Sequence, residues 1–178
     1  MPIRTSRAMS LDTARGLLPR QDAILISILG KSESASRQRP ELTGWRAVLI
    51  LEFEDASETV QLAKPGDWPL EPTLEQNTAL LGIEKGRIPA LSDARKIVDF
   101  LSKHHALDES LDLLVHCQAG VSRSVMVAYK TALWLDLAMD PYFSTRLAYA
   151  NERLGRLMEI AQVESDLVGR LESAGLNP

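Results

Sequence analysis

The chain is poor in residues that staple or ligate. It has one cysteine, Cys117, so an intramolecular disulfide and a cysteine-built metal cage are both excluded within one chain. Its three histidines, His104, His105 and His116, together with that cysteine are too few for a structural zinc site. Basic excess is lacking too: 24 acidic against 20 basic side chains leave a net charge of −4, which argues against a dedicated nucleic-acid binder while allowing a small basic pocket. No apolar run approaches the roughly 20 residues of a membrane span, so no membrane partner is expected. Residues Met1 to Arg20 hold four arginines and no apolar stretch before Ala23, unlike a secretory signal. With a free thiol and no targeting segment, the expected location is the cytoplasm. No internal repeat is present.

What is there suits one α/β domain over residues 1–178. A chain of this size buries roughly 70% of its unfolded surface and needs no staple. Three apolar runs predict strands buried on both faces: Ala23 to Leu29, Ala47 to Phe53, and Leu111 to His116. Lys31 to Thr43 reads as a loop. Ala56 to Ala90, with four prolines and three glycines, reads as a second, interrupted by a short helix from a Thr73 cap to Leu81. Ala94, Ile97, Val98 and Leu101 predict an amphipathic helix after a Ser92 cap. Val125 to Leu137, apolar almost all round, predicts a buried helix that Asp140-Pro141 breaks. Leu154, Leu157, Met158 and Ala161 form another stripe, with a last helix over Val163 to Leu171. The order implies a small, mostly parallel central sheet flanked by helices.

Chemistry concentrates in Leu113 to Val127, LLVHCQAGVSRSVMV. A strand ends at Cys117, a loop holding Gly120 follows, and Ser122, Arg123 and Ser124 open the buried helix. Loop amides and the first helical N–H groups lack helix partners and face the positive end of the dipole, which makes an anion-sized cradle. Arg123 adds a bidentate fork suited to phosphate. An unperturbed thiol, with pKa about 8.5, is only a few per cent thiolate at neutral pH; helix N-termini and cations raise that fraction. One loop thus holds a phosphate over a nucleophile, and the implied reaction is attack of sulfur on phosphorus followed by hydrolysis.

This stretch resembles the protein tyrosine phosphatase superfamily, whose signature is H-C-x-x-G-x-x-R-[ST]. Here it reads His116-Cys117-Gln118-Ala119-Gly120-Val121-Ser122-Arg123-Ser124, with every fixed position filled. The A-G-x-S-R-S wording is most similar to the dual-specificity branch, and the match covers Leu91 to Leu137. The resemblance implies that Cys117 is the nucleophile and that Arg123 binds phosphate and stabilises the transition state. It implies that Ser124 helps the thiolate leave, that His116 orients the loop, and that the backbone of Gln118, Ala119, Gly120, Val121 and Ser122 binds the phosphoryl oxygens. No metal or organic cofactor is implied. The expected substrate is a phosphorylated protein, at tyrosine, serine or threonine, or a small phosphomonoester. Lysine is absent from Gln118, Ala119 and Val121, which lowers the case for a phosphoinositide. Rhodanese-type sulfurtransferases use a similar loop, but shorter between cysteine and arginine than the Gln118 to Ser122 stretch here.

The resemblance also requires an acid for the leaving oxygen, and the pattern departs from the family at this point. Asp55 follows the strand ending at Phe53, at the C-terminal rim of a parallel sheet. A group of bacterial phosphatase-like proteins is similar there, with F-x-D after the strand. Asp55 is favoured over Asp67, in GDWPL, and over Glu84 and Glu54. With Asp55 as acid, residues 56–90 form an insertion or lid near the mouth. The displaced acid motivates a second reading, a phosphate-recognising binding module that has lost turnover. Elsewhere, His104 and His105 read as dipole partners of a helix end. Trp68 is a candidate for lining the pocket. Asn151, Glu152 and Arg153 read as a solvated helix face from which Arg153 or Arg156 could reach the site.

Overall fold

In the computed structural model, which describes residues 3–36, 39–56, 68–81, 86–173 and 175, one sheet organises the chain. Among the described residues its strands are β1 (Ile3–Ser10), β2 (Ala23–Leu29), β3 (Ala47–Glu52) and β4 (Leu111–Cys117). They lie in the order β1-β4-β2-β3, and every neighbouring pair is parallel. The helices are α1 (Leu11–Arg15), α2 (Lys31–Ser36), α3 (Leu74–Leu81), α4 (Leu91–His105), α5 (Arg123–Trp134), α6 (Tyr142–Arg146) and α7 (Glu152–Ser173), with a 3₁₀ turn at Leu147–Tyr149. The fold is α/β, a parallel sheet flanked by helices.

Strand β2, AILISIL, is buried along its whole length. Its side chains alternate between two cores, as the period-2 pleat requires. Ile24, Ile26 and Ile28 join Leu113, Val115 and Cys117 of β4 in the main core, shared with α4, α5 and α7. Ala23 and Leu25 join Leu114 and Trp45 on the opposite face, where Leu17 and Leu42 add a thinner cover. Helix α5 is buried from Arg123 to Ala128, with Leu133 49% exposed in its second half, and α7 packs so closely over it that a Cβ on Gly155 would come within 2.6 Å of Met126 Sδ.

The parallel register brings the strand ends to one rim. Ser10 pairs with Cys117, Ser27 with His116, and Leu29 with Glu52. The segments that follow β2, β3 and β4 therefore emerge side by side, which is how open parallel sheets build sites.

Several sequence expectations change. The N-terminal segment forms β1, because IRTSRAMS gains its backbone partners from β4 and needs no continuous apolar run. Lys31 to Thr43 contains helix α2, closed by Ser34 N and Oγ on the Gly30 carbonyl at 2.9 and 2.7 Å. Strand β3 is an edge strand with Ile50 52% exposed, so it is not buried on both faces. Helix α4 starts one residue before Ser92: Asp93 accepts from Ala90 N at 3.0 Å and is held by a fork from Arg87. Helix α5 stops at Trp134, well before Asp140, with Asp136 at φ +52°. The two expected C-terminal helices are one, α7; its distal Val163 and Leu167 are 67% and 57% exposed, which hides its continuity from an apolar stripe. Helix α3 matches its expected span, and Thr73 and Gln76 cap it reciprocally. Residues 57–67 and 82–85 of the expected lid lie outside the described residues. Among the described residues no helix is long and apolar enough to cross a membrane.

Candidate active site

The loop between β4 and α5 is held by its surroundings at every turn. Gly120 has φ +74°, and a Cβ there would lie 2.4 Å from Ser10 N and 2.6 Å from the Met9 carbonyl carbon. Only glycine fits this pairing of left-handed backbone with close approach. Leu11 N donates to the Gln118 carbonyl at 3.2 Å, and Tyr142 Oη donates to the Gly120 carbonyl at 3.1 Å. Ala119 is exposed, Gln118 and Val121 are half-buried, and Gly120 and Ser122 are buried. Cys117 ends β4 at 1% exposure, with its Sγ 3.2 Å from Ser124 Oγ in a hydrogen bond.

His116 is fully buried on the opposite face of β4 from Cys117. Its Nε2 lies 2.7 Å from Ser27 Oγ, and Arg39 donates to that same Oγ at 2.6 Å and to the Ser27 carbonyl at 3.0 Å. Burial, and then the Arg39 charge, lower the His116 pKa to about 4. The ring is therefore neutral at physiological pH.

Arg123 opens α5 at 2% exposure. Burial works against its charge, but hydrogen bonds to Glu33 and the nearby Cys117, Glu33 and Asp55 outweigh that and raise its pKa further. Nη1 and Nη2 fork onto the Glu33 carboxylate at 2.9 and 2.7 Å, and Nη1 also donates to the Phe53 carbonyl at 2.9 Å. Its Nε makes no hydrogen bond and stands 3.9 Å from Asp55 Oδ2. Nε–H is thus left without a hydrogen bond on the Asp55 side of the guanidinium.

Asp55 lies just beyond β3. Its Oδ1 accepts from Ser122 Oγ of the cysteine loop at 2.6 Å and from Asn151 Nδ2 at 3.0 Å. The structure brings Cys117, Arg123, Ser122, Ser124 and Asp55 to one rim. The Glu54 carboxylate fills the space that a Cβ on Gly30, at the end of β2, would take. Asp67 and Glu84 lie outside the described residues. Trp68 is buried with Ala56 and Ile88, and the Arg153 guanidinium stacks 5.5 Å from its ring centroid.

Two site residues escaped the sequence reading. Glu33 sits in the stretch read as a loop; the signal was Gly30 at a strand end with an acid three residues on, where Glu33 Oε2 accepts from Gly30 N at 2.6 Å. Asn151 and Arg153 are both fully buried, not on the solvated face that their polar neighbours suggest. Asn151 Oδ1 caps α7 through Leu154 N at 2.9 Å, and Arg153 reaches the Pro89 and Pro69 carbonyls at 2.8 and 2.7 Å. An asparagine just before a helical stripe is an N-cap signal, and it was legible.

No family model matches the chain, and no curated protein does. Among solved structures, the chain is similar to the crystal structure of human tyrosine phosphatase-like serine/threonine/tyrosine-interacting protein. The two are 13% identical, over 81% of this chain and 79% of that one, with a TM-score of 0.38.

Proposed function

We propose that the protein is a cysteine-dependent phosphatase of the dual-specificity type, acting on phosphomonoesters of a phosphorylated protein or small molecule in the cytoplasm. The observation that carries this reading is the Asp55 carboxylate, hydrogen-bonded to Ser122 within the loop that Cys117 and Arg123 bound. Cys117 thiolate attacks phosphorus over amides of the Gln118 to Ser122 loop. The P–O bond to the leaving group breaks, and the leaving oxygen takes its electron pair and a proton from Asp55. Asp55, now a carboxylate, takes a proton from water as that water attacks the phosphocysteine. The S–P bond breaks, and Ser124, in contact with the sulfur, steadies the departing thiolate. Arg123 meets the equatorial charge through its Nε–H, which makes no hydrogen bond at rest, in a water-poor setting where preorganised donors act strongly.

A second reading is favoured by one observation. The Glu33 carboxylate fills the Nη1–Nη2 fork of Arg123, which limits what Arg123 can lend a transition state and favours a phosphate-binding module without turnover. Hydrolysis of phenyl phosphate from acid to neutral pH separates the two. Cys117→Ser is expected to fall to background, and Asp55→Asn to lose about 10²-fold in kcat. A native chain that shows no turnover above Cys117→Ser, yet retains phosphopeptides on a column, would establish the binding module instead.

A further inference from the structure

Asp55 is not held by the cysteine loop alone. Asn151, from the start of α7, donates from Nδ2 to Asp55 Oδ1 and to the carbonyl of the next residue, Ala56, at 3.0 Å each. Its Oδ1 accepts from Leu154 N at 2.9 Å, and the side chain is fully buried. Both amide hydrogens and the amide oxygen are thus engaged. Reversing the amide would set its oxygen against the Asp55 carboxylate and the Ala56 carbonyl, so only one orientation is available. Ser122 supplies a second donor to the same carboxylate oxygen at 2.6 Å.

With two donors on Oδ1, a transferable proton is left one place to sit, Oδ2, the oxygen that stands 3.9 Å from Arg123 Nε. We propose that Asn151 is a positioning residue for proton transfer: with Ser122 it assigns Oδ1 as the acceptor oxygen of Asp55 and aims a protonated Oδ2 at the leaving group. The inference rests on the phosphatase reading above. In the first step the Oδ2–H bond breaks as the P–O bond breaks, and the charge left on the carboxylate is met at Oδ1 by Ser122 and Asn151. In the second step Oδ2 receives the proton from water. Asn151 also ties the Ala56 carbonyl, so it holds the backbone after Asp55 as well as the side chain.

The test uses Asn151→Ser and Asn151→Asp, because serine and aspartate both keep an acceptor at the N-cap of α7 and both take away the amide nitrogen that reaches Asp55 and Ala56. The kcat is measured on phosphate esters of increasing leaving-group pKa, from 4-nitrophenyl through phenyl to alkyl, beside thermal melting. For Asn151→Ser the loss is expected to grow with leaving-group pKa, from less than about twofold on 4-nitrophenyl phosphate to about 10-fold on phenyl phosphate, a fraction of the full worth of an acid. Asn151→Asp is expected to steepen that dependence, since it faces Oδ1 with an acceptor. In an Asp55→Asn background either substitution is expected to add little. A uniform loss on every ester, or a loss that persists undiminished in the Asp55→Asn background, overturns the proposal and leaves Asn151 as a helix cap. If Asp55→Asn itself shows no leaving-group dependence, the acid assignment fails, and this proposal with it. A steep Asp55→Asn beside a flat Asn151→Ser sinks the positioning role alone.

Discussion

On the sulfur side of the site, Cys117, the loop and Arg123 are one stretch of chain between a strand and a helix. On the carboxylate side, Glu33, Asp55 and Asn151 come from three segments, with 90 positions between Arg123 and Glu33 and 96 between Asp55 and Asn151. The first side is shaped by backbone: a left-handed glycine against β1, and carbonyls pinned by Leu11 and Tyr142. The second is shaped by side chains that the sheet register delivers to one rim. A backbone-shaped loop should fail as a unit when its geometry is disturbed. A site assembled from side chains should lose its parts one at a time.

The largest expected effect comes from breaking the backbone side. Gly120→Ala forces a methyl against the backbone of Met9 and Ser10. It is expected to cost about 2 kcal/mol of stability through a strained backbone and to lower kcat by about 10²-fold through displaced donors. Urea unfolding and phenyl phosphate turnover read the two effects. Near-native values for both would mean that the loop is less rigidly set than its contacts indicate.

His116 sharpens the same side through pH. Its folded pKa of about 4 lies below the ordinary 6.5, so between those values the unfolded chain binds more protons than the folded one. Stability from this group is complete above pH 6.5 and is lost as pH falls toward 4, about 3 kcal/mol in all. His116→Asn, which cannot gain a proton, is expected to flatten the acid slope of stability over that window. An unchanged slope would place the acid sensitivity elsewhere.

The smallest expected loss of turnover tests the assembled side. Glu33→Ala removes the carboxylate from a buried guanidinium, but the side chain of Glu33 is 22% exposed and the Phe53 carbonyl remains. The expected cost is about 2 kcal/mol, below that of a fully buried pair, with Cys117 chemistry weakened rather than abolished. Abolished turnover in a folded variant would show that the carboxylate side also acts as a unit.

The two sides also differ in how readable they were. The order H-C-Q-A-G-V-S-R-S was visible because its residues are neighbours in the chain, and spacing along one loop is itself geometry. Strands β2 and β4 were visible for a similar reason, since they are buried and mostly apolar, and β3 showed as an apolar run although it is an edge strand. Strand β1 was not, because a polar edge strand is defined by the carbonyls it pairs with. Asp55 was nominated only by its place after a strand. Asn151 and Arg153 looked like solvated polar residues, as isolated charged and amide side chains usually are.

By itself, then, the sequence determined a parallel α/β core and a cysteine loop opening a buried helix, because periodicity and local spacing encode backbone shape directly. The tertiary structure alone decided which carboxylates meet that loop. Glu33 reaches Arg123, and Asn151 reaches Asp55, only because the β1-β4-β2-β3 order sets the ends of β2, β3 and β4 on one rim. Strand order follows from packing among distant segments, and such packing leaves no fixed interval in the chain for a reader to find.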